Sequence, residues 1–302
     1  MSTSYHVAVI GLGAMGMGAA RSCLRAGLTT YGIDLSEQAR SQLQQAGAAA
    51  VMADARPLAE TLDAVLLLVV NAVQVRRILL GEEGLARHLK PGTAIMVSST
   101  IAAEEASSLA AELAQLGLPM LDAPVSGGAI KADAGEMTVM AAGADAAFDK
   151  LAPVLDAVAG KVYRVGSEPG QGSTVKIIHQ LLAGVHIAVA AEAMALASKA
   201  GVPLDLMYDV VTHAAGNSWM FENRMPRVLT GDYQARSAVD IFVKDLTLVA
   251  DTAKALRFPL PLASTALNMF LSASNAGHGQ EDDSAVIKTF SGITLPGQEE
   301  RP

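Results

Sequence analysis

Cysteine is almost absent from this chain: Cys23 is the only one in 302 residues. A single thiol excludes an intrachain disulfide framework and a cysteine-built zinc site, and no other metal site is expected. Cys23 reads as a small buried residue on the first helix. Aromatic residues are scarce at 4%, which favours a packed α/β protein over an aromatic-rich binding surface. A basic excess is missing too. Lysine and arginine number 22 against 30 acidic residues, giving a net charge of −8. With no basic stripe either, no nucleic-acid partner is expected. A long unbroken hydrophobic run is also lacking. The most apolar stretch, residues 181–200, is interrupted by His186, Glu192 and Lys199. Burying those groups in lipid is costly, so the stretch reads as a buried helix of a soluble protein, with no membrane partner. The N-terminal "MSTSYHVAVIGLG" lacks the basic and apolar regions of a signal peptide, and a cytoplasmic protein is expected.

What is present is apolar and finely divided: 51% hydrophobic and 17% charged residues, with 27 glycines. The first half alternates strand and helix signals. "YHVAVI" is a β-rich run ending at "GLGAMG", followed by a helical pattern closed by Gly27. "TTYGID" and "SEQARSQLQQAG" repeat the pair, with Ser36 as the expected N-cap. "AVLLLVV" (64–70) is a continuous apolar run, as a parallel strand buried on both faces requires. "TAIMVSST" (93–100), "LPMLDAPVSGG" (118–128) and "EMTVMAAG" (136–143) continue the series. This pattern predicts a doubly wound, mostly parallel α/β sheet. The glycine- and proline-rich "GSEPGQGS" (166–173) marks a boundary. Beyond it the periodicity is helical, beginning with one long helix over 173–200 stopped by Gly201. The expected domains are 1–167, a dinucleotide-binding sheet, and 168–302, an all-α domain.

Gly11, Gly13 and Gly16 form G-x-G-x-x-G between the first strand and first helix. Asp34 ends the next strand at about the spacing of a ribose-binding carboxylate. The turn Gly11, Leu12, Gly13, Ala14, Met15, Gly16 is therefore expected to hold a pyrophosphate at a helix N-terminus. Asp34 would accept from ribose hydroxyls and repel a 2′-phosphate, which predicts NAD as cofactor. Other strand ends should line the same crevice: Val70 with Asn71, Ser99 with Thr100, and the segment from Asp122 to Gly128. Asn71 reads equally as a turn former, and Thr100 as a cap for the helix beginning near Ala102.

In the long helix Lys176, His179 and Gln180 share one face. Lys176 lies at the positive end of the helix dipole, which disfavours its charge. Beside a nicotinamide in an interdomain cleft, such a group can exchange a proton with a reacting hydroxyl. The residues alone leave His179 as an equal candidate for that base. In "DAPVSGG", Ser126, Gly127 and Gly128 offer a hydroxyl and backbone N–H groups for a carboxylate, or form a plain turn.

Four segments in order, "GLGAMGMG", "DAPVSGG", "GQGSTVK" and "FVKDLTLV" (242–249), make the chain resemble the β-hydroxyacid dehydrogenases over nearly its whole length. The resemblance implies a Rossmann domain followed by an all-helical domain built on one long helix, and homodimers or homotetramers. It implies Lys176 as the catalytic acid/base, Ser126, Gly127 and Gly128 as carboxylate binders, and Thr100 near the nicotinamide. Lys244 would reach the cofactor or substrate. The common family pattern K-x-x-N-N or K-x-x-N-Q is here Lys176-Ile177-Ile178-His179-Gln180, and the usual "STIAPE" is "SSTIAAE". Histidine in place of asparagine implies a changed grip on the substrate. Resemblance to one branch implies NAD-linked oxidation of a small sugar acid at its 2-hydroxyl, with His179, Gln180 and Asn217 suited to a hydroxyl-rich substrate. Ser218 and Trp219 read as part of a loop facing the site, or as a cap and a core aromatic. The alternatives are a tartronate semialdehyde reductase, a 3-hydroxyisobutyrate dehydrogenase, or a non-catalytic scaffold module keeping the fold. Imine reductases of related fold lack the lysine, which is present here.

Overall fold

The computed structural model describes residues 4–296, which divide into two compact units, the first ending at Lys176 and the second beginning at Ile177. The first is a layered α/β unit. Its strands are β1 (His6–Ile10), β2 (Thr29–Ile33), β3 (Ala50–Met52), β4 (Ala64–Leu67), β5 (Ala94–Val97) and β6 (Met120–Asp122), then β7 (Val125–Ser126), β8 (Met137–Ala142) and β9 (Ala159–Gly166). The sheet order is β3-β2-β1-β4-β5-β6-β8-β7, with β9 also paired to β8. Strands β1 to β6 run parallel; β8 is antiparallel to β6 and β7. The order reverses between β1 and β4, and their carboxyl ends flank the crevice where such sheets bind ligands.

The central strands are apolar at every position because both faces are covered. Val7, Val9, Leu66 and Met96 pack into one core; Ala8, Ile10, Val65, Leu67, Ile95 and Val97 pack into the other. The intervening helices are α1 (Ala14–Arg25), α2 (Glu37–Gln45), α3 (Ala72–Leu80), α4 (Ala103–Gln115), α5 (Gly128–Ala134) and α6 (Asp145–Val158). Ser36 caps α2 as expected, accepting from the Ala39 N–H. Thr100 does not cap α4: the N-cap is Ala102, and Glu104 and Glu105 instead complement the helix dipole. Two strands had no clear signal in the sequence. β3 is three residues long and half-buried, and β9 is a largely exposed edge strand carrying Lys161 and Arg164.

The second unit is helical: α7 (Gln171–Lys199) continues into it, followed by α8 (Leu204–Thr212), α9 (Trp219–Thr230), α10 (Val239–Ala255) and α11 (Pro261–Ala273). Ile187, Met194, Phe242, Leu246 and Phe270 form its core, with the Phe242 and Phe270 rings stacked at 5.2 Å. The buried Arg224 guanidinium on α9 grips Asp283 at 2.7 and 3.0 Å, tying in the short 3-10 turn Asp283–Thr289. Among the described residues, α7 is the one helix long and apolar enough to cross a membrane, and half of its apolar stretch is buried in the fold. It stops where Gly201 turns left-handed (φ 75°) and the Val202 N–H bonds back to Ala197.

α7 begins two residues earlier than its sequence pattern predicts. The cause is Asp122 at the end of β6, fully buried, which acts as a cap supplied from a distant strand. Its Oδ2 accepts from the N–H groups of Gly170 and Ser173, both at 2.8 Å, and its Oδ1 accepts from the Ser173 hydroxyl at 2.7 Å. Burial pushes this carboxyl above the usual carboxylate range, and the Ser173 and Gly170 donors oppose that shift. Asp122→Ala strands these donors in a dry site. Each buried unsatisfied group costs about 1–3 kcal/mol, so a loss of roughly 2–5 kcal/mol is expected in urea unfolding, and a smaller loss for Asp122→Asn.

Candidate functional site

The first unit gathers its candidate residues along the carboxyl edge of the parallel strands. Gly11 follows β1 with φ 91°, and a Cβ there would lie 2.7 Å from the Leu68 carbonyl oxygen. A Cβ on Gly16 would lie 1.7 Å from the Gly11 carbonyl oxygen, so only glycine lets α1 start this close to its strand. Gly13 differs: it N-caps α1 without a side-chain cap, and a Cβ built there meets nothing within 4 Å. The fold itself does not need glycine at that position. What glycine leaves there is open space over the first turn of α1, where the Ala14, Met15 and Gly16 N–H groups have no partner within the helix. Leu12 is buried, while Gly13 and Ala14 are exposed. A helix N-terminus with a bare approach fits a pyrophosphate, so these residues fit a dinucleotide.

Asp34 is tied to the glycine turn. Its Oδ2 accepts from the Leu12 N–H and its Oδ1 from the Ser36 N–H, both at 2.7 Å. The carboxylate is thereby fixed to the glycine turn while staying half-buried, with lone pairs left for ribose hydroxyls. Arg40 sits beneath it, its Nη1 donating to the carbonyls of Asp34 and Leu35 at 2.6 and 2.9 Å. Val70 is exposed after β4, and its N–H donates to Gln74. Asn71 is the N-cap of α3, its Oδ1 accepting from the Gln74 N–H at 2.9 Å. Thr100 is half-buried beyond β5.

Further along, Ser126 ends β7, Gly127 adopts φ 132° and Gly128 opens α5. The same segment contains Asp122, which does not line the crevice but holds the start of α7. Ser173, the third residue of α7, takes two of the three Asp122 contacts, and Lys176 follows one turn later, buried at 6% exposure. A lysine this buried has not snorkelled to solvent. Cys23 is buried and its thiol is pushed up to about 12 by burial, so it is no nucleophile.

The second unit carries the other candidates. His179 is half-buried, and its Nδ1 lies 3.0 Å from the Gln180 Oε1. Gln180 is buried and its Nε2 donates to Asp245 Oδ2 at 2.5 Å. Lys244 Nζ stands 2.6 Å from Asp245 Oδ1, an ion pair too poorly angled for a directed hydrogen bond. Lys244 and Asp245 are therefore not a solvated pair, since Asp245 is 2% exposed. Nothing but its place in "FVKDLTLV" marks Asp245 in the sequence. Asn217 is half-buried, with Nδ2 at a long 3.4 Å from Glu222 and no hydrogen-bond partner for Oδ1 among the described residues. Ser218 caps α9, accepting from the Phe221 N–H at 3.1 Å, and Trp219 is half-exposed on the first turn rather than in the core. Among the described residues no three His, Cys, Asp or Glu side chains are grouped to hold a metal.

Residues 6–166 match the NAD-binding domain of 6-phosphogluconate dehydrogenase, and residues 170–290 match the NAD-binding region of NADP-dependent 3-hydroxyisobutyrate dehydrogenase. The chain belongs to the 3-hydroxyisobutyrate dehydrogenase-like family. Among its relatives in this family, L-threonate dehydrogenase of Escherichia coli K12 is 71% identical over 98% of both chains. L-threonate dehydrogenase of Haemophilus influenzae is 68% identical over 97% of both. The crystal structure of 3-hydroxyisobutyrate dehydrogenase from Salmonella typhimurium superposes with a TM-score of 0.92 at 70% identity, over 95% of this chain and all of that one. Family membership makes this an NAD(P)-binding oxidoreductase, with the N-terminal sheet and the C-terminal helical domain expected from the sequence.

The open space at Gly13 yields a direct test of the dinucleotide site. In Gly13→Ala the added Cβ meets no protein atom within 4 Å, so its melting temperature should match that of wild type. Its dinucleotide affinity, measured by calorimetry, should fall at least about tenfold, the equivalent of 1.4 kcal/mol.

Proposed function

We propose that this protein is an L-threonate dehydrogenase that uses NAD to oxidise the 2-hydroxyl of its substrate, giving the 2-oxo acid 2-dehydro-L-erythronate. The observation that carries this reading is the near-full-length identity of about 70% to relatives of that name. The buried Lys176 supports it as the proton acceptor. A similarly identical structure bears the name 3-hydroxyisobutyrate dehydrogenase, so that acid is the competing substrate. It carries a single hydroxyl, on C3, and a methyl branch on C2, where L-threonate carries hydroxyls on C2, C3 and C4. The polar His179, Gln180 and Asn217 favour the substrate with more hydroxyls.

In this reading the Gly11–Gly16 turn and Asp34 hold the dinucleotide, with Val70, Asn71 and Thr100 along its path and Lys244 reaching towards it. Bound NAD supplies the acceptor for the hydride leaving C2. The Ser126 hydroxyl and the Gly127 and Gly128 N–H groups receive the substrate carboxylate. Lys176, in its amine form, takes the proton of the 2-hydroxyl as the carbonyl forms, and in the reverse direction returns it. Because burial excludes water around the amine, the proton passes between substrate and lysine rather than to solvent. Asp34 supports NAD over NADP, since its carboxylate occupies the region a 2′-phosphate would enter.

Two measurements check this. Lys176→Met should lower kcat on L-threonate by about 10²–10⁴-fold while calorimetry shows NAD binding retained; near-normal turnover refutes the role. Wild type should prefer NAD over NADP in kcat/KM by at least about tenfold. Asp34→Ser should narrow that ratio, because Arg40 remains to meet a 2′-phosphate. A wild-type preference for NADP, or turnover of 3-hydroxyisobutyrate well above L-threonate, overturns the assignment.

A further inference from the structure

His179 stands where the family pattern has asparagine, and it is joined to a carboxylate through one amide. The order of donors and acceptors along that chain is decided at its buried end. A carboxylate only accepts. The Gln180 atom 2.5 Å from Asp245 Oδ2 must therefore be the amide nitrogen. Turning the amide over would press its oxygen against the carboxylate in a site where Gln180 and Asp245 are 7% and 2% exposed and water cannot relieve the repulsion. With the nitrogen committed, Gln180 Oε1 faces His179 Nδ1 at 3.0 Å. A carbonyl oxygen also only accepts, so Nδ1 must carry the hydrogen. A neutral imidazole has one N–H, which makes Nε2 the acceptor nitrogen.

We infer that Asp245, acting through Gln180, is a positioning residue that fixes neutral His179 in its Nδ1–H tautomer, so that Nε2 reads a hydroxyl on the substrate chain beyond the oxidised carbon. The second half of this statement rests on the proposal that His179 contacts the substrate of an L-threonate dehydrogenase. Asparagine at this position presents both a carbonyl and an NH₂ group, so it can satisfy a donor or an acceptor. A histidine locked in one tautomer accepts only. It can pair with a hydroxyl and cannot pair with a methyl or methylene, the pattern that gives strong discrimination between a substrate and its deoxy analogue. The Lys244 ammonium beside the other Asp245 oxygen completes the order, with charge at one end and a neutral acceptor at the other.

The test uses the full-length protein labelled with ¹⁵N-histidine, with the His179 signals assigned by their loss in His179→Asn. At a pH where His179 is neutral, wild type should show a protonated Nδ1 and an unprotonated Nε2. Asp245→Asn and Gln180→Met should each give a mixture of tautomers; Gln180→Met leaves the Lys244–Asp245 pair in place, so it still reads out if Asp245→Asn folds poorly. In kinetics, wild type should favour L-threonate over its 3-deoxy or its 4-deoxy analogue by at least about tenfold in kcat/KM. Gln180→Met should bring that ratio to within about threefold, with the loss falling on KM more than on kcat. An Nε2–H tautomer in wild type, a tautomer unchanged in both variants, or an unchanged discrimination ratio overturns the inference. The NMR readout needs no substrate, so a wild-type enzyme inactive on L-threonate defeats the substrate assignment alone, while the tautomer still decides the relay.

Discussion

The buried carboxylate of Asp122 decides where the long helix begins, and much of the site follows from that. Three donors from Gly170 and Ser173 converge on it. They settle the first turn of α7 against the end of β6, so the helix starts at a fixed place with respect to the sheet's carboxyl edge. Lys176 sits one turn after Ser173 and is buried as a result. A lysine on a loose helix end would turn its ammonium to water. The glycines of the first turn act in the same unit by another means. Gly11 and Gly16 exist for close packing of backbone, whereas Gly13 leaves room that the protein does not fill. One set of residues builds a rigid edge, and a single glycine keeps its ligand approach open.

A second ordering principle runs through the helical unit. Gln180 donates to one Asp245 oxygen and the Lys244 ammonium stands beside the other, in a nearly dry environment where a half-satisfied polar group is expensive. Such networks have few arrangements. In the relay inferred above, that restriction converts histidine, which can donate or accept, into a group with one defined polarity. The Arg224–Asp283 pair does comparable work for the end of the chain, but it joins structural elements and presents nothing to a ligand.

Much of this was legible in the sequence, for identifiable reasons. The parallel strands are apolar on both faces, so 64–70 stood out as a strand without knowledge of its neighbours. The glycine spacing and Asp34 carry their meaning in their separation along the chain, and Ser36 and Gly201 are local end signals. What was not legible depends on distant partners. Asp122 caps a helix roughly fifty residues away, and it read as the start of a segment lining the crevice. β3 and β9 are short or exposed and lack the alternation that reveals a strand. Asp245 was indistinguishable from a surface acid, because its burial comes from helices packed over α10. Trp219 had two readings, a loop facing the site or a core aromatic, and of these the core reading fails: it lies half-exposed on a first turn.

In the proposed reaction a hydride leaves C2 of a four-carbon sugar acid while Lys176 takes the hydroxyl proton. L-Threonate deuterated at C2, incubated with NAD and the purified protein, tests it most directly. The account predicts deuterium on the reduced nicotinamide, a product with a carbonyl at C2, and one reduced cofactor per product formed. Deuterium retained in the acid, or no reduced cofactor formed from L-threonate, would contradict it.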